Sequence, residues 1–298
     1  MDDVIVVGAG PAGLSAALIL GRCRRRVLVC DTGKPRNAAA QTMHGFLTRD
    51  GISPHEFLRT AREQLRPYDT VELRDLEVTS AECRSDGRFD ISLVGGETLA
   101  TRKLLLATGV VDNLPDLPGF AEFYGRGVFH CPYCDGWEVR DRPLAIYGRG
   151  NRGLGLALEL TAWSSDLTLC TDGASGIDAD GLARLARNGI TVIGDRIAGL
   201  EGGAALERIL FASGTSHPCG AVFFTTGQTQ QSPLAARLGC QLSDKGTVAT
   251  GKYEATHLKG LYVAGDASRA VQWVVVAAAE GAEAAFAINT ELIKEDLH

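Results

Sequence analysis

Two glycine-rich loops constrain the fold of this chain more than any other feature. Residues 8–13 and residues 148–153 both read Gly-x-Gly-x-x-Gly, and each loop follows an apolar strand and precedes an apolar helix. Such a loop makes a tight turn, lets a pyrophosphate approach the backbone, and lets the helix close on the strand. The phosphates rest on the helix N-terminus, where free N–H groups favour anions. The sequence therefore predicts two dinucleotide-binding α/β units.

An acidic residue follows the next strand after each loop. Asp31 ends the strand after the first loop, and Asp172 follows the strand after the second. A carboxylate at this place accepts hydrogen bonds from a ribose diol and repels a 2′-phosphate. In the second loop, Arg149 and Arg152 either hold phosphates or obstruct the site with their bulk. We therefore predict that the first loop binds a dinucleotide and leave the occupancy of the second loop open.

The stretches between these motifs repeat one plan. Residues 71–106 and residues 190–224 alternate in polarity and carry turn signals, so each is predicted to form a β-meander. Each stretch leads into a Thr-Gly dipeptide, at 108–109 and at 226–227. The chain therefore reads as a repeat of a βαβ unit, a meander and a strand that ends in Thr-Gly.

A Gly-Asp dipeptide at 265–266 lies between an apolar strand and an alanine-rich helix over 274–292. From the sequence alone, the Asp266 carboxylate either caps this helix or contacts a ligand hydroxyl. Both uses suit an acid near a helix N-terminus, where the helix dipole favours negative charge.

A Cys-x-x-Cys pair, Cys131 and Cys134, lies between the two loops. This spacing closes a small, redox-labile disulfide, and the thiolate form attacks other disulfides. The alternative is half a zinc site, which needs a second ligand pair that the sequence lacks. The other six of the eight cysteines are scattered and fit free thiols of a reducing compartment. We therefore predict redox chemistry and no metal.

The length and charge of the chain argue against several classes of function. Its 298 residues suffice for two domains of ordinary size. A net charge of −6 argues against nucleic acid as the main partner, because phosphate neutralisation needs a basic face. No apolar run approaches the roughly 20 residues of a membrane span, and no signal peptide fits before the first strand. We therefore expect a cytoplasmic protein with no membrane partner.

Together these motifs resemble the low-molecular-weight thioredoxin reductase family of FAD-dependent disulfide oxidoreductases. The resemblance covers essentially the whole chain, and its most specific elements are the Cys-x-x-Cys-Asp-Gly box at 131–136 and the Ala-Gly-Asp turn near the C-terminus. It implies an α/β fold of two tandem Rossmann-like dinucleotide-binding domains, each with a parallel sheet plus a β-meander, the second inserted into the first. Residues 1–112 and 247–298 would form the discontinuous FAD-binding domain. Residues 113–246 would form the nicotinamide-type domain that carries the redox pair.

The resemblance also implies roles for individual residues. Cys134 would be the thiol nearest the flavin, Cys131 would attack the substrate disulfide, and Asp135 would protonate the leaving thiolate. The residues implied in FAD binding are Gly8, Gly10, Pro11, Ala12, Gly13, Asp31, His44, Gly109, Gly265, Asp266, Gln272 and Trp273. The residues implied in a nicotinamide nucleotide site are Gly148, Gly150, Gly153 and Asp172.

Three departures from the family pattern argue against ordinary use of NADPH. Members that use NADPH carry a basic cluster after the second strand of the second domain, where this chain reads Thr-Asp-Gly-Ala at 171–174. The second loop carries Arg149 and Arg152 in place of small or acidic residues. Trp273 occupies a position that is usually Gln. Either Gln272 takes over that role, or the indole lies against the flavin, or the indole packs in a dimer interface.

Two further stretches resemble a branch of dithiol oxidases of the gliotoxin and holomycin type, which re-oxidise with oxygen and need no nicotinamide. These stretches are the Thr-Asp-Gly sequence at 171–173 and the Met-His-Gly-Phe-Leu sequence at 43–47. Enzymes of that branch usually carry His after the second cysteine, whereas this chain carries Asp135. The resemblance to the branch is therefore mixed.

Three functions follow from these patterns. The leading one is a thioredoxin reductase-like oxidoreductase that exchanges two electrons between FAD, the cysteine pair and a partner disulfide or dithiol, with NADPH or NADH as an open choice of donor. The second is an oxygen-dependent dithiol oxidase that forms disulfides in a small molecule. The third is a flavin-binding redox sensor in which Trp273 seals the flavin. The expected partner is a thioredoxin-like protein or a small-molecule dithiol or disulfide, and the chain is expected to form a homodimer.

Overall fold

The computed structural model describes residues 1–297, which divide into two compact units. Unit 2 is inserted into the sequence of unit 1, as the resemblance implies. The chain returns to unit 1 at Gln228, ahead of residue 247 where the sequence analysis puts the boundary, and the domain limits given there stay an interpretation. Unit 1 consists of residues 1–38, 45–111 and 228 onward, and unit 2 consists of residues 39–44 and 112–227.

Each glycine-rich loop lies between a strand and a helix, and a further strand follows, as the two loop motifs predict. The strands are β1 (Asp2–Val7), β2 (Val27–Cys30), β3 (Val71–Arg74), β4 (Val78–Cys83), β5 (Phe89–Leu93), β6 (Thr98–Leu106), β7 (Val110–Asp112), β8 (Val128–Phe129), β9 (Leu144–Tyr147), β10 (Leu167–Cys170), β11 (Thr191–Ile193), β12 (Ile197–Gly202), β13 (Leu206–Phe211), β14 (Ser216–Pro218), β15 (Ala221–Phe224), β16 (Gln228–Gln230) and β17 (Leu261–Val263). The helices are α1 (Pro11–Arg22), α2 (Pro54–Leu65), α3 (Phe120–Phe123), α4 (Pro132–Asp135), α5 (Gly150–Glu159), α6 (Ala179–Arg187), α7 (Leu234–Arg237) and α8 (Val274–Asp296). Single 3-10 turns cover Leu160–Ala162, Lys252–Glu254 and Gly265–Ala267.

Unit 1 is built on a mixed sheet. Its parallel part has the strand order β3-β2-β1-β6-β17, and β6 also pairs with the antiparallel meander of β5 and β4. Alternate residues of β1 are buried on opposite faces of the sheet. Val4 and Val6 pack with α1 and α8, whereas Ile5 and Val7 pack with the meander. A strand that is buried on both faces reads as a continuous apolar run, which is how β1 appears in the sequence.

Unit 2 repeats this plan. Its parallel sheet has the order β11-β10-β9-β15-β8, and β12, β13 and β14 form a separate antiparallel meander. Leu144 and Ile146 of β9 face one core cluster, and Ala145 between them faces the other. The prediction of a parallel sheet plus a meander in each unit is confirmed.

The predicted extents of the two meanders are wrong at their first strands. β3 and β11 pair in parallel with β2 and β10 instead of joining the meanders. Each of these strands follows an amphipathic helix, α2 or α6, and a strand–helix–strand connection within one sheet gives parallel pairing. Alternation of polarity cannot separate an edge strand of a parallel sheet from a meander strand.

Helices α1 and α8 of unit 1 touch through their backbones. A Cβ atom at Gly281 would lie 1.9 Å from the carbonyl oxygen of Ala12, so only glycine allows this contact. Because Ala12 belongs to the first glycine-rich loop, the contact fixes the N-terminus of α1 within the unit. Within residues 1–297, none of the helices combines the length and the low charge that a membrane span needs.

Candidate functional site

Cys131 and Cys134 form a disulfide at the start of the short helix α4 of unit 2. Cys131 is the extended residue before the helix, Pro132 takes the first helical position, and the Cys134 N–H donates to the Cys131 carbonyl at 3.1 Å. This single turn brings the two sulfur atoms together, with the Cα atoms 5.3 Å apart. Both cysteines are half-buried, which leaves part of the pair accessible.

Asp135 directly follows the pair. Its pKa is raised from 3.8 to about 7, chiefly by burial, with the Glu138 carboxylate raising it and His44 lowering it. A carboxyl group with such a pKa both donates and accepts protons near neutral pH. This property supports the acid/base role that the resemblance gives to Asp135, which stays a prediction.

His44 belongs to unit 2, through the segment 39–44. Its Nε2 atom lies 3.5 Å from Glu138 Oε1 and 3.2 Å from the Thr42 hydroxyl oxygen. Within unit 2 the imidazole therefore belongs to the surroundings of the redox pair. The flavin contact that the resemblance gives to His44 stays a prediction.

Aromatic side chains flank the disulfide. Tyr133 is 60% exposed and Trp137 is 65% exposed. The Tyr133 ring meets the Trp163 ring edge-on at 5.3 Å, and the Arg140 guanidinium lies 3.9 Å above the centre of the Trp137 ring. The sequence analysis missed this aromatic rim, although an aromatic residue within the Cys-x-x-Cys box and another just after it were visible signals.

The residues implied in FAD binding that belong to unit 1 follow neighbouring strands of its sheet. The first loop follows β1, Asp31 follows β2, Gly109 follows β6, and the 265–266 turn follows β17. These strands are parallel neighbours in the order β2-β1-β6-β17, so their carboxyl ends meet at one edge. We call this edge the flavin edge. The topology thereby brings together Gly8, Gly10, Pro11, Ala12, Gly13, Asp31, Gly109, Gly265 and Asp266.

The first loop leaves space beside its backbone. A Cβ atom at Gly8 would lie 2.3 Å from the Ala107 carbonyl oxygen, so the turn after β1 needs glycine. A Cβ atom at Gly10 would meet nothing within 4 Å. Asp31 Oδ1 accepts a hydrogen bond from the Ala9 N–H at 3.1 Å, which places the carboxylate beside the loop. The loop, the open backbone and the acid fit the ADP half of FAD.

Asp266 is held by side chains from other segments of unit 1. The Arg36 guanidinium donates to Asp266 Oδ2 at 2.8 Å and to Gln272 Oε1 at 2.7 Å, and the Gln272 amide donates to the Asp266 carbonyl at 3.1 Å. Helix α8 begins directly after Trp273 and has no side-chain cap. Asp266 therefore does not cap α8, and the ligand contact that the sequence left as the alternative stays a prediction. Arg36 was not predicted, because a lone arginine in a loop forms no motif.

A buried charge cluster supports the same turn. Glu280 Oε2 accepts a hydrogen bond from the Gly265 N–H at 2.8 Å, and Arg269 pairs with both Glu280 and Glu254. Glu254 is fully buried and Glu280 nearly so. Burial raises the pKa of Glu254 and raises that of Glu280 to about 7. Nothing in the alanine-rich sequence of α8 indicated that one of its acids holds the turn.

The second loop is closed by residues of its own unit. The Gly150 N–H, which starts helix α5, donates to the Ser175 carbonyl at 2.7 Å. The Arg149 Nε donates to the Thr171 carbonyl at 2.6 Å, and its Nη2 lies 3.0 Å from Asp172 Oδ2. A backbone N–H group that a phosphate would need is therefore already paired within unit 2.

Asp172 is likewise engaged within unit 2. Its Oδ1 accepts a hydrogen bond from the Ile197 N–H at 2.9 Å, while its Oδ2 pairs with Arg149. Gly148 and Gly153 keep the tight turn of a dinucleotide loop, since a Cβ atom on Gly153 would lie 2.6 Å from the Gly148 carbonyl carbon. The turn is present, but the groups that would bind phosphate and ribose are used internally. The nicotinamide nucleotide site that the resemblance implies at Gly148, Gly150, Gly153 and Asp172 stays a prediction.

Burial suppresses thiolate formation at several cysteines outside the redox pair. Burial raises the pKa of Cys30 to about 11 and the pKa values of Cys170 and Cys219 to about 12. Cys23 and Cys83 are free and exposed. Cys131 and Cys134 therefore differ from the buried cysteines in their pairing and in their accessibility.

Known proteins share this arrangement. Residues 2–281 match the model of the pyridine nucleotide-disulphide oxidoreductase family. The chain is 32% identical to the thioredoxin reductase sirT of Leptosphaeria maculans, over 99% of this chain and 95% of that protein. A probable thioredoxin reductase of Arthroderma benhamiae is 40% identical over a match that spans 57% of this chain and only 44% of that protein. The crystal structure of HlmI is 37% identical, with a TM-score of 0.95 over 99% of this chain and 94% of that one.

These similarities run through both units. The match to the family model spans most of the chain, and the similarity to HlmI extends over the whole fold. The resemblance inferred from the motifs is confirmed, and with it FAD as the cofactor. The chain belongs to the pyridine nucleotide-disulphide oxidoreductase family, as a flavin-dependent disulfide oxidoreductase of the thioredoxin reductase-like kind.

Proposed function

We propose that this chain moves two electrons between FAD, the Cys131–Cys134 pair and a dithiol or disulfide outside the chain, without a pyridine nucleotide. The observation that carries the proposal is an accessible disulfide followed directly by a carboxyl group whose pKa is about 7. The closed second loop supports the exclusion of NADPH and NADH. Electrons would then enter the protein from a dithiol.

The exchange with a dithiol balances as two successive attacks. A partner thiolate attacks Cys131, the bond between the two sulfur atoms breaks, and a mixed disulfide forms with Cys134 as the leaving thiolate. The second partner thiol then attacks the mixed disulfide, and the partner leaves as a disulfide. Both cysteines end as thiols, so two electrons and two protons have moved from the partner to the pair. The reverse sequence reduces a partner disulfide.

Asp135 is suited to carry the proton in this exchange. Because its pKa is about 7, it exists in both protonation states at neutral pH. It can give a proton to the leaving thiolate of Cys134 and recover one from the attacking thiol. Glu138 and His44 shift the pKa of Asp135 in opposite directions, and so adjust the balance between the two states.

The residues of the flavin edge would hold FAD in unit 1. The open backbone at Gly10 and the acid Asp31 suit its ADP half, and Asp266 with Gln272 suits the remainder. When bound, FAD supplies a two-electron acceptor and donor for the cysteine pair. The second loop differs in its backbone, because the Gly150 N–H at the start of α5 is paired with the Ser175 carbonyl within unit 2.

An anaerobic titration of the flavin absorbance tests this proposal. We expect that neither NADPH nor NADH bleaches the flavin, whereas dithiothreitol bleaches it in the wild-type protein. Cys134→Ser should keep FAD but lose at least about 100-fold in the rate of bleaching by the dithiol, because the pair no longer relays electrons. Cys83→Ser, which removes an exposed cysteine outside the pair, is the matched control and should behave as wild type.

Two outcomes would contradict separate parts of the proposal. Stoichiometric bleaching by NADPH or NADH would show that the closed second loop opens to bind a nucleotide. Equal bleaching of Cys134→Ser and wild type by the dithiol would remove the cysteine pair from the path of the electrons.

The closed second loop also favours a second candidate, an oxygen-dependent dithiol oxidase. If electrons enter from a dithiol, an acceptor must take them from the flavin, and oxygen is the acceptor that the branch resemblance implies. This function predicts one peroxide for each disulfide formed from a small dithiol. The absence of peroxide with several dithiols would leave the first proposal standing and exclude this one.

The identity of the partner and the assembly are proposed on the resemblance alone. We propose a thioredoxin-like protein or a small dithiol as the partner, and a homodimer in the cytoplasm. Reduction kinetics with a thioredoxin-like protein and with a small disulfide, measured side by side, distinguish the two partners. Sedimentation equilibrium tests the dimer.

A further inference from the structure

Arg36 connects polar side chains on the flavin edge of unit 1. It lies in the segment that follows β2, and it donates to Asp266 Oδ2 at 2.8 Å and to Gln272 Oε1 at 2.7 Å. Its second terminal nitrogen donates to Gln228 Oε1 at 3.2 Å. The resemblance implies flavin contacts for Asp266 and Gln272 and none for Arg36. A guanidinium that orients two cofactor-binding side chains is therefore part of the site.

Arg36 and Asp266 form an ion pair that is largely removed from water. Their side chains are 12% and 19% exposed. Removing one partner of such a pair leaves the other charge without compensation. Without Arg36, the flavin edge would carry the full negative charge of Asp266. Two-electron reduction of a flavin with uptake of a single proton adds one negative charge, so an uncompensated carboxylate nearby would oppose that reduction.

We propose that Arg36 is a positioning residue that sets the reduction potential of the flavin by neutralising Asp266. The inference rests on the placement of FAD in unit 1 under the proposed function, and it does not depend on the disulfide chemistry. The potential decides in which direction electrons move between the flavin and the cysteine pair. By favouring the reduced flavin, Arg36 favours electron flow from a dithiol.

A second ion pair of unit 1 provides a matched control. Arg62 of α2 pairs with Asp31, the acid implied at the ADP ribose, and with Asp75 at 3.0 Å. This pair has the same chemistry as the pair of Arg36 and Asp266. Because the adenosine half of FAD takes up no electrons, removal of Arg62 should alter the affinity for FAD and leave the potential unchanged.

The test uses the full chain with Cys131→Ser and Cys134→Ser, so that the disulfide takes up no electrons. In this background, Arg36→Gln, Arg36→Lys, Arg62→Gln and the double variant Arg36→Gln/Asp266→Asn are compared. Flavin fluorescence gives the affinity for FAD, and anaerobic equilibration with a reference dye gives the two-electron potential. Neither measurement requires turnover.

We expect loss of the charge at position 36 to shift the flavin potential and retention of the charge to leave the potential nearly unchanged. Arg36→Gln should shift the equilibrium of flavin reduction by at least about tenfold toward the oxidised form, which is about 30 mV for two electrons. Arg36→Lys keeps the charge and should shift the equilibrium by less than about threefold. The double variant lacks the uncompensated carboxylate and should return to within about threefold of the parent. Arg62→Gln should change affinity alone.

Equal potentials in Arg36→Gln and Arg62→Gln would overturn the inference, and so would equal shifts in the single and the double variant. If Arg36→Gln retains no FAD, Asp266→Asn decides the question. That variant removes the carboxylate and keeps the guanidinium, and it should shift the equilibrium at least about tenfold toward the reduced form. An unchanged potential there would also overturn the inference. None of these variants contains the cysteine pair, so failure here leaves the proposed disulfide exchange untouched.

Discussion

The two glycine-rich loops have the same sequence pattern and different backbone surroundings. In the first loop, the backbone at Gly10 is open, and the Asp31 carboxylate lies beside it. In the second, the Gly150 N–H donates to Ser175, and Asp172 is held by internal donors. The pattern therefore specifies a strand–turn–helix unit and says nothing about occupancy. Both acids have partners within their own units, Asp31 in Arg62 and Asp172 in Arg149. The difference between the loops therefore lies in their backbones, where the Gly150 N–H is paired with Ser175.

The segment after the acid accounts for this difference. In unit 2, the segment 173–176 consists of small residues and returns to the loop, where a Cβ atom on Gly150 would lie 3.7 Å from the Gly176 carbonyl oxygen. In unit 1, the corresponding segment extends to Arg36, which binds Asp266 at the flavin edge. One segment thus closes its loop, whereas the other contributes to the site. A loop motif should be interpreted together with the ten residues or so that follow its acid.

The largest effect should come from asparagine at the middle glycine of each loop. Gly10→Asn should weaken FAD binding by about 100-fold or more, because the side chain fills the space beside the loop backbone. Asparagine is a favoured residue before a helix, so α1 should still form. Gly150→Asn should leave FAD binding unchanged. Flavin fluorescence titration measures both affinities.

Gly150→Asn is a suitable control for Gly10→Asn. Asparagine tolerates the left-handed backbone at position 150, where φ is +55°. Circular dichroism of both variants checks that the fold is retained. Loss of FAD from both variants alike would show that the second loop contributes to flavin binding. That result would contradict the proposed difference between the two loops.

A smaller effect should separate the two acids. Asp31→Ala should weaken FAD binding by about tenfold, because a charge-assisted hydrogen bond to the cofactor is lost. Asp172→Ala should not change FAD binding. It should lower the free energy of unfolding by roughly 1–3 kcal/mol, since the Ile197 N–H and Arg149 lose their acceptor. Urea unfolding and FAD titration of both variants give the two quantities, and a FAD defect in Asp172→Ala would argue against the assignment.

The smallest effect should show which unit FAD stabilises. Ser53 caps α2 of unit 1 through the Glu56 N–H, and Asp178 caps α6 of unit 2 through the Gly181 N–H. Replacing either cap by alanine should cost about 1 kcal/mol. FAD stabilises the unit that binds it, so added FAD should offset the loss in Ser53→Ala and not in Asp178→Ala. Thermal unfolding with and without FAD measures this, and equal protection of both variants would contradict placement of FAD in unit 1 alone.

The sequence predicted most of the fold because its signals are local. The apolar runs before the glycine-rich loops, and the loops themselves at 8–13 and 148–153, each specify structure within a few residues. The strands β3 and β11 were wrongly assigned to meanders, since their pairing depends on partners more than twenty residues away in the sequence. Periodicity carries no information about which strand a short edge strand will join.

The site was predicted less completely, because its charges pair over long distances in the chain. Arg36 pairs with Asp266, 230 residues further along the chain, and Arg269 pairs with Glu254 and Glu280 across turns that form no sequence motif. The closure of the second loop likewise required knowing that Arg149 turns toward Thr171 and Asp172 instead of toward solvent. The motifs identified the groups, and the pairing among them could be seen only in the folded chain.

The buried cysteines have a consequence for a protein that works by disulfide exchange. The other cysteines of such a protein encounter the same dithiols and disulfides as its redox pair does. With pKa values of about 11 to 12, Cys30, Cys170 and Cys219 would be ionised in about one molecule in 10,000 or fewer at pH 7. Burial in the folded protein therefore protects these three cysteines from forming mixed disulfides during catalysis. This protection should disappear on partial unfolding, so that heat and oxidised substrate together would inactivate the protein faster than either alone.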